Sequence, residues 1–315
     1  MKVIPPVVYG DAHLISSTVA EPDATAAGDG LGATEWTASA TYAANAVVTR
    51  GVGFTHRAYK SVAGGNIGNI PENSLTGMPA KWVDVGSTNR WKMLAADANS
   101  RTVSASPLTV VIKPGMRISA LSIMSVEADS VLVEMRDPSG TVVYSHTETL
   151  DLRVVNNWDD YFFAEFGGPT SLLLLDLPSI SGASVTVRLT SSSGTVTCGA
   201  VVIGVPVDLG STATGASSGA IDFSRIVRDA FGNSSLLERK AVPRTSQTTL
   251  LDKSQVNLVR RTLLSLRAKT ALYFGIDDDS HGYFDSLCVL GIAKQWDLAL
   301  DQPEHATLSI DIEGL

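Results

Sequence analysis

V-S-A-S-P-L-T-V-V-I-K-P-G-M-R-I-S-A-L-S-I-M-S-V-E-A-D-S-V-L-V-E-M-R-D-P-S-G-T-V-V-Y-S-H-T-E, residues 103–148, decides the fold class. Apolar runs or strict alternation recur at Thr109–Ile112, Arg117–Ile123, Ser130–Arg136 and Thr141–Glu148. A period of two turns one face of a strand inward. Turn residues separate the runs, first Lys113-Pro114-Gly115 and then Asp137-Pro138-Ser139-Gly140. The second suits a hairpin, because Pro fixes φ early and Gly accepts positive φ later. Phe162–Phe166, Ser171–Asp176, Ser184–Thr190 and Cys198–Gly204 continue the series. About eight evenly spaced strands predict a β-sandwich of jelly-roll or galactose-binding-like type over 95–207.

Outward from this region the chain reads as mainly β and multidomain. Its 315 residues are enough for two or three cores, and 44% hydrophobic content is too high for disorder. Residues 1–31 read as an N-terminal arm and linker, 32–94 as a small aromatic β module, 208–220 as a second linker and 221–315 as an α+β domain. In that last domain Asp222–Asp229, Leu236–Val242, Ala271–Ile276, Ser286–Gly291 and Thr307–Ile312 are expected strands. Asp252 and Gln255 have the spacing of a capping box, and Val256, Val259, Leu263 and Leu266 share one face of a helix reaching about Lys269.

The net charge of −8 argues against a nucleic-acid partner. Cys198 and Cys288 lack metal spacing and read as buried small hydrophobes. Pro5, Pro6 and Asp11 make Met1–Ile15 unlike a secretory signal. No apolar run approaches the ~20 residues that a membrane span needs.

The sequence contains no phosphate loop, nucleophile elbow, dinucleotide fingerprint or zinc-binding histidine pair. No catalytic residue, metal site or cofactor is expected, and the chain reads as a non-enzyme. Asp277-Asp278-Asp279 with His281 is the densest polar cluster; it is either a hard-cation site or a solvated loop. Asp159-Asp160, beside Trp158 and Tyr161, either grips a sugar or forms a loop at the sandwich edge.

Aromatic residues are scarce, at 6%, yet Trp36, Trp82 and Trp91 fall close together. Trp36, Tyr42, Val47-Val48, Tyr59-Lys60-Ser61, Pro71 and Trp82 follow an order that resembles the small carbohydrate-binding modules of chitinase type. Two departures stand out: Ala44-Asn45-Ala46 replaces the usual Gly-Asp, and the Gly51–His56 turn is longer. The resemblance implies that some of these aromatics form a core and others stack on sugar. Trp36, Tyr42, Tyr59 and Trp82 are the candidate glycan-binding residues; Trp36 and Trp82 are also the expected core, since so small a module has little else to bury.

The stretch L-Y-F-G-I-D-D-D-S-H-G-Y-F-D-S-L-C-V-L-G-I-A-K-Q-W-D-L-A-L, with the later H-A-T-L-S-I-D-I-E-G-L, resembles the C-terminal domain of bacteriophage tail proteins. The opening M-K-V-I-P-P and the W-K-M-L at Trp91–Leu94 fit the same family. The resemblance implies a virion structural protein at the baseplate, tail tip or fibre attachment, made in the host cytoplasm. Its partners would be other tail proteins, copies of itself in a ring or trimer, and a host-surface glycan. The alternatives are a free-standing carbohydrate-binding protein or adhesin and, further off, a polysaccharide depolymerase using Asp159, Asp160 or Asp277–Asp279.

Overall fold

A computed structural model of the chain describes residues 1–5, 7–95, 100–150, 171–228, 231, 234–239, 241–278, 281–300 and 304–314. The expected strand Phe162–Phe166 and the pair Asp159-Asp160 lie outside the described residues. The chain is mainly β and divides into two compact units, Val7–Ile203 and a second made of Met1–Pro6 with Gly204–Leu315. Strands are numbered β1–β25 and helices α1–α3 along the chain.

The first unit contains a sandwich. One sheet runs β13 (Val142–Thr149), β12 (Ser130–Arg136), β15 (Ser184–Thr190), β10 (Leu108–Ile112) and β2 (Leu14–Ser17). The other runs β14 (Ser171–Leu174), β11 (Ala120–Glu127), β16 (Thr195–Gly204) and β9 (Thr102–Ala105). The alternation read from the sequence becomes three cross-strand rows: Leu108–Leu189–Val131, Val110–Val187–Val133 and Ile112–Val185–Met135. All nine side chains are buried and share a core with Leu121, Ile123, Leu172, Leu174, Val196 and Cys198 of the other sheet. Each such side chain contributes roughly 1.5–3 kcal/mol on burial. The Asp137–Thr141 turn closes as expected. Its Asp137 carboxylate accepts hydrogen bonds from Ser139 Oγ at 2.6 Å and from the amides of Ser139 and Thr141, both at 2.9 Å. Gly140 takes φ +90°.

The same unit includes the aromatic module. Its sheet runs β3 (Thr34–Glu35), β5 (Val47–Arg50), β6 (Arg57–Ser61) and β8 (Trp82–Ser87), beside the pair β4 (Thr41–Tyr42) and β7 (Asn66–Ile67). The short helix α1 (Asn89–Lys92) follows, and Trp91, Met93 and Leu94 pack into the sandwich core. The boundary expected at residue 94 therefore falls earlier, because these three apolar side chains belong to the sandwich.

The second unit is built on an eight-stranded sheet. Its order is β17 (Val207–Asp208), β1 (Lys2–Ile4), β23 (Ala271–Phe274), β24 (Cys288–Ala299), β25 (His305–Gly314), β22 (Ala241–Asp252) and β18 (Ser211–Thr212), with β19 (Ser217–Asp222) also on β22. β20 (Arg225–Arg228) and β21 (Ser234–Leu237) pair with each other. Val259, Leu263 and Leu266 of helix α2 (Val256–Ser265) and its C-cap are buried with Val3, Leu251, Tyr273, Leu308 and Ile310. Phe284 of α3 (Phe284–Leu287) is also buried. Gly291 faces Gly314 across β24 and β25, and a Cβ there would overlap the Glu313 carbonyl.

Several expectations are corrected. Residues 1–31 are not an arm and linker: Lys2–Ile4 enters the second unit's sheet and Leu14–Ser17 pairs with β10. Residues 208–220 carry the edge strands β18 and β19. Asp252 does not cap α2. It ends β22, and its carboxylate accepts from Ser254 N at 2.8 Å and Ser254 Oγ at 2.7 Å, while Gln255 occupies the cap without a side-chain hydrogen bond.

Both cysteines are free and buried, and burial pushes each thiol up to about 12. The thiolate is the reactive form, so a native chain at about pH 8 presents almost none of it. A disulfide-exchange reagent at that pH is expected to titrate no thiol in the native chain and both after denaturation. Rapid native labelling of either would contradict the packing.

Candidate functional site

Three of the four sequence-selected aromatics form the core of the small module. Tyr59 is 2% exposed and Trp82 is 0% exposed, and Tyr42 is also buried. Tyr42 and Trp82 meet edge-on with centroids 5.3 Å apart, against Val48. Their polar tips are occupied from within. Trp82 Nε1 donates to Asn69 O at 2.9 Å, Tyr42 Oη accepts from Thr37 N at 2.7 Å, and Tyr59 Oη lies 3.0 Å from Thr55 Oγ1. Burial pushes the Tyr59 phenol up. As placed, Tyr42, Tyr59 and Trp82 offer no stacking face to a glycan. The reason is size: four short strands need large side chains to exclude water.

Trp36 is different. It is half-buried at the rim of that core. Parallel pairing of β3 with β5 brings it beside Arg50, and its amide donates to Thr49 O at 3.0 Å. The Arg50 guanidinium lies 4.9 Å from the Trp36 ring centroid and 3.6 Å from that of Phe54, which is 52% exposed. Arg50 Nε also donates to Glu72 Oε1 at 3.0 Å. Glu72 sits in a 3₁₀ turn begun by the buried Pro71. Trp36 Nε1 and Glu72 Oε2 have no hydrogen-bond partner among the described residues. The long Gly51–His56 turn, a departure from the chitinase-type pattern, is what delivers Phe54 onto Arg50. The result is an aromatic–guanidinium–aromatic stack with a carboxylate beside it, a surface of mixed apolar and cationic character.

The turn also contributes to a polar cluster that the scattered histidines did not reveal. His56, at φ 51°, stacks on Trp91 with centroids 4.1 Å apart. Its Nδ1 is 3.1 Å from both Glu21 carboxylate oxygens, and its Nε2 is 2.7 Å from Asp11 Oδ1, off the line of a hydrogen bond. Glu21 also accepts from Thr88 Oγ1 at 2.6 Å and Trp91 Nε1 at 3.2 Å. Beside it, Asn89 donates to Asp29 and Asp23, and its side chain bonds both backbone groups of Val103. These bonds hold Glu21–Gly30, a stretch with no periodic apolar residues of its own. The cluster positions chain segments; Glu21 is too enclosed to meet a substrate.

In the second unit, Asp277 pairs with Lys2 Nζ at 2.6 Å, and His281 Nδ1 accepts from Tyr283 N at 3.2 Å. Asp279 lies outside the described residues. Among the described residues, no group of three or more His, Cys, Asp or Glu side chains is placed to hold a metal, and no helix is long and apolar enough to cross a membrane.

No family model and no curated protein matches the chain. Among solved structures it is similar to a chitosan-binding module 1 derived from a chitosanase/glucanase from Paenibacillus sp. IK-5, a V110M mutant. The identity is 11% and the TM-score 0.25, over 36% of this chain and 82% of that one. At that level of superposition nothing further follows from the likeness.

The two classes of aromatic separate by stability. Trp82→Ala is expected to lower unfolding free energy by about 3–5 kcal/mol, as for a large core side chain. Phe54→Ala, which removes one exposed cation–π contact, is expected to change it by about 1 kcal/mol or less. Urea unfolding of both variants measures this, and equal losses would contradict the placement.

Proposed function

We propose that this chain is a structural protein of a bacteriophage tail, at the baseplate, tail tip or fibre-attachment region, and that it acts by binding and not by catalysis. Its partners are other tail proteins and copies of itself in a ring or trimer. One observation carries the reading. The residues that resemble tail proteins build the middle of the second unit's sheet: Leu272–Phe274 lie in β23, Cys288–Ala299 form β24, and the ending I-E-G lies in β25. Gly291 and Gly314 both lie within those motifs: a Cβ on Gly291 would overlap the Glu313 carbonyl of β25, and one on Gly314 would meet Pro243 of β22. The resemblance therefore falls on residues that specify a fold, and not on interchangeable surface positions. Mass spectrometry of purified particles, with and without the encoding gene, tests it. The chain is expected in the particle at a multiple-copy ratio to other tail proteins, and particles lacking it are expected to be defective in tail assembly or attachment. Its absence from the particle would remove the reading.

A second reading, glycan binding, is favoured by the Trp36–Arg50–Phe54 stack, since exposed ring faces pack against sugar C–H groups. On a glycan array the chain is expected to bind, with Phe54→Ala and Trp36→Ala each weakening binding about tenfold. An array on which nothing binds removes this reading and leaves the structural one intact.

A further inference from the structure

Among the described residues, β20 and β21 form a two-stranded ribbon that pairs with no other strand. All eight residues are exposed. An isolated two-stranded ribbon is marginal in water. This one also carries apolar side chains on both faces. Ile226 and Leu236 face each other across one side, at 62% and 73% exposure, while Val227 and Leu237 belong to the other. Phe223 and Phe231 flank it, at 51% and 92% exposed. An element that is apolar on a single face suits docking on a surface; one that is apolar on both suits insertion into a cleft.

The same unit contains such a cleft. A cavity of about 680 Å³ opens beside β18 and β19, with Ala213, Ala216, Ile276, Tyr283 and Leu287 among its walls. None of the described ribbon residues lines it. The charges of the two elements are opposite. Phe223–Lys240 carries Arg225, Arg228, Arg239 and Lys240 against Asp229 and Glu238, a basic segment in a chain of net charge −8. The cavity walls are flanked in sequence by the exposed Asp277, Asp278 and Asp285, of which Asp277 is paired with Lys2.

We propose that the ribbon of one copy inserts into the cavity of the next, in a head-to-tail contact between copies of this chain. The contact uses two different surfaces, so it propagates to a ring if the rotation closes. It rests on the self-association part of the proposed function and names the surfaces that perform it. Basic residues at the ribbon and acidic ones next in sequence to the cavity walls set the direction and steer the encounter.

Sedimentation velocity on the full chain, up to ~100 µM, tests this. The unaltered chain is expected to form species larger than a monomer. The double variant Ile226→Asp with Leu236→Asp, and separately Ala216→Trp filling the cavity, are each expected to weaken association at least ~10-fold. An equimolar mixture of the two retains one intact ribbon and one intact cavity, so it is expected to form dimers and nothing larger. Unchanged thermal melting verifies folding, and Tyr283→Ser replaces Ala216→Trp if the latter misfolds. A monomeric unaltered chain, a ribbon variant that assembles normally, or a mixture that stays monomeric would each overturn the insertion. A chain found in particles yet monomeric in solution removes the insertion alone. An oligomer that passes the test but is absent from particles removes only the tail reading.

Discussion

Strand Lys2–Ile4 constrains everything else in the second unit. It lies inside the eight-stranded sheet, hydrogen-bonded to Val207–Asp208 on one side and Ala271–Phe274 on the other. Val3 and Ile4 are fully buried. Gly204 admits this strand, since a Cβ there would lie 2.7 Å from Pro5 O and 2.8 Å from Ile4 Cγ2. The sheet therefore needs both ends of a chain interrupted by roughly 200 residues of the first unit. Loop closure over that length adds only slowly to the entropic cost, by about 0.6 kcal/mol per doubling. The arrangement is affordable in thermodynamic terms, but it makes the second unit high in contact order, and such topologies fold slowly.

Legibility follows the chemistry of the buried face. Ser130–Arg136 and Ser184–Thr190 were read to the residue because their inward positions are Val, Leu and Met, and a strict period of two exposes them. Ala241–Asp252, one of the two partners of β25, was not read as a strand beyond its first two residues. Its inward face is Thr245, Gln247, Thr249 and Leu251, so the alternation is invisible to a hydrophobic pattern. Several of those polar groups bond to backbone carbonyls distant in sequence. Thr249 Oγ1 donates to Leu209 O at 2.7 Å, and Gln247 Nε2 donates to Leu287 O at 3.2 Å. The opening segment failed for a different reason: it was read as part of an arm, and nothing local indicated that Val3 and Ile4 would be enclosed by strands more than 200 residues away.

The aromatic module teaches a different lesson. Aromatic order along the chain identified a compact β unit but did not separate core from surface, because indole and phenol rings serve both uses. Strand pairing makes the separation. Tyr59 and Trp82 sit on β6 and β8 facing inward, whereas Phe54 lies in a turn that no strand covers. Arg50, with Phe54 and Glu72 beside it, was missed. A single arginine before a glycine-rich turn carries no signal, and only parallel pairing of Thr34–Glu35 with Val48–Thr49 brings Trp36 to it.

Buried carboxylates in the first unit position the chain more than they stabilise it. Burial raises the Asp29 carboxyl above the usual carboxylate range, outweighing the amides of Asp23 and Asn89 and the Lys92 charge, which lower it. A folded-state pKa above the unfolded value gives a contribution that is complete at pH values below the unfolded pKa and is lost as pH rises through the raised one. Asp29 is thus a net liability at neutral pH. Half-buried Asp137 and exposed Asp252 behave in the opposite sense: hydroxyl and amide donors from Ser139 and Ser254 lower both, so their contribution is present above the ordinary value and fades on acidification. Asp29 persists because the Asp23 and Asn89 amides, bonded at 2.8 and 2.6 Å, would otherwise be buried without acceptors. A segment made of Ala, Gly, Thr and Asp has no side chains with which to build a core. Such a segment gains a single conformation only through directional bonds, and a charged acceptor that is unfavourable on its own terms is what this chain uses to impose one.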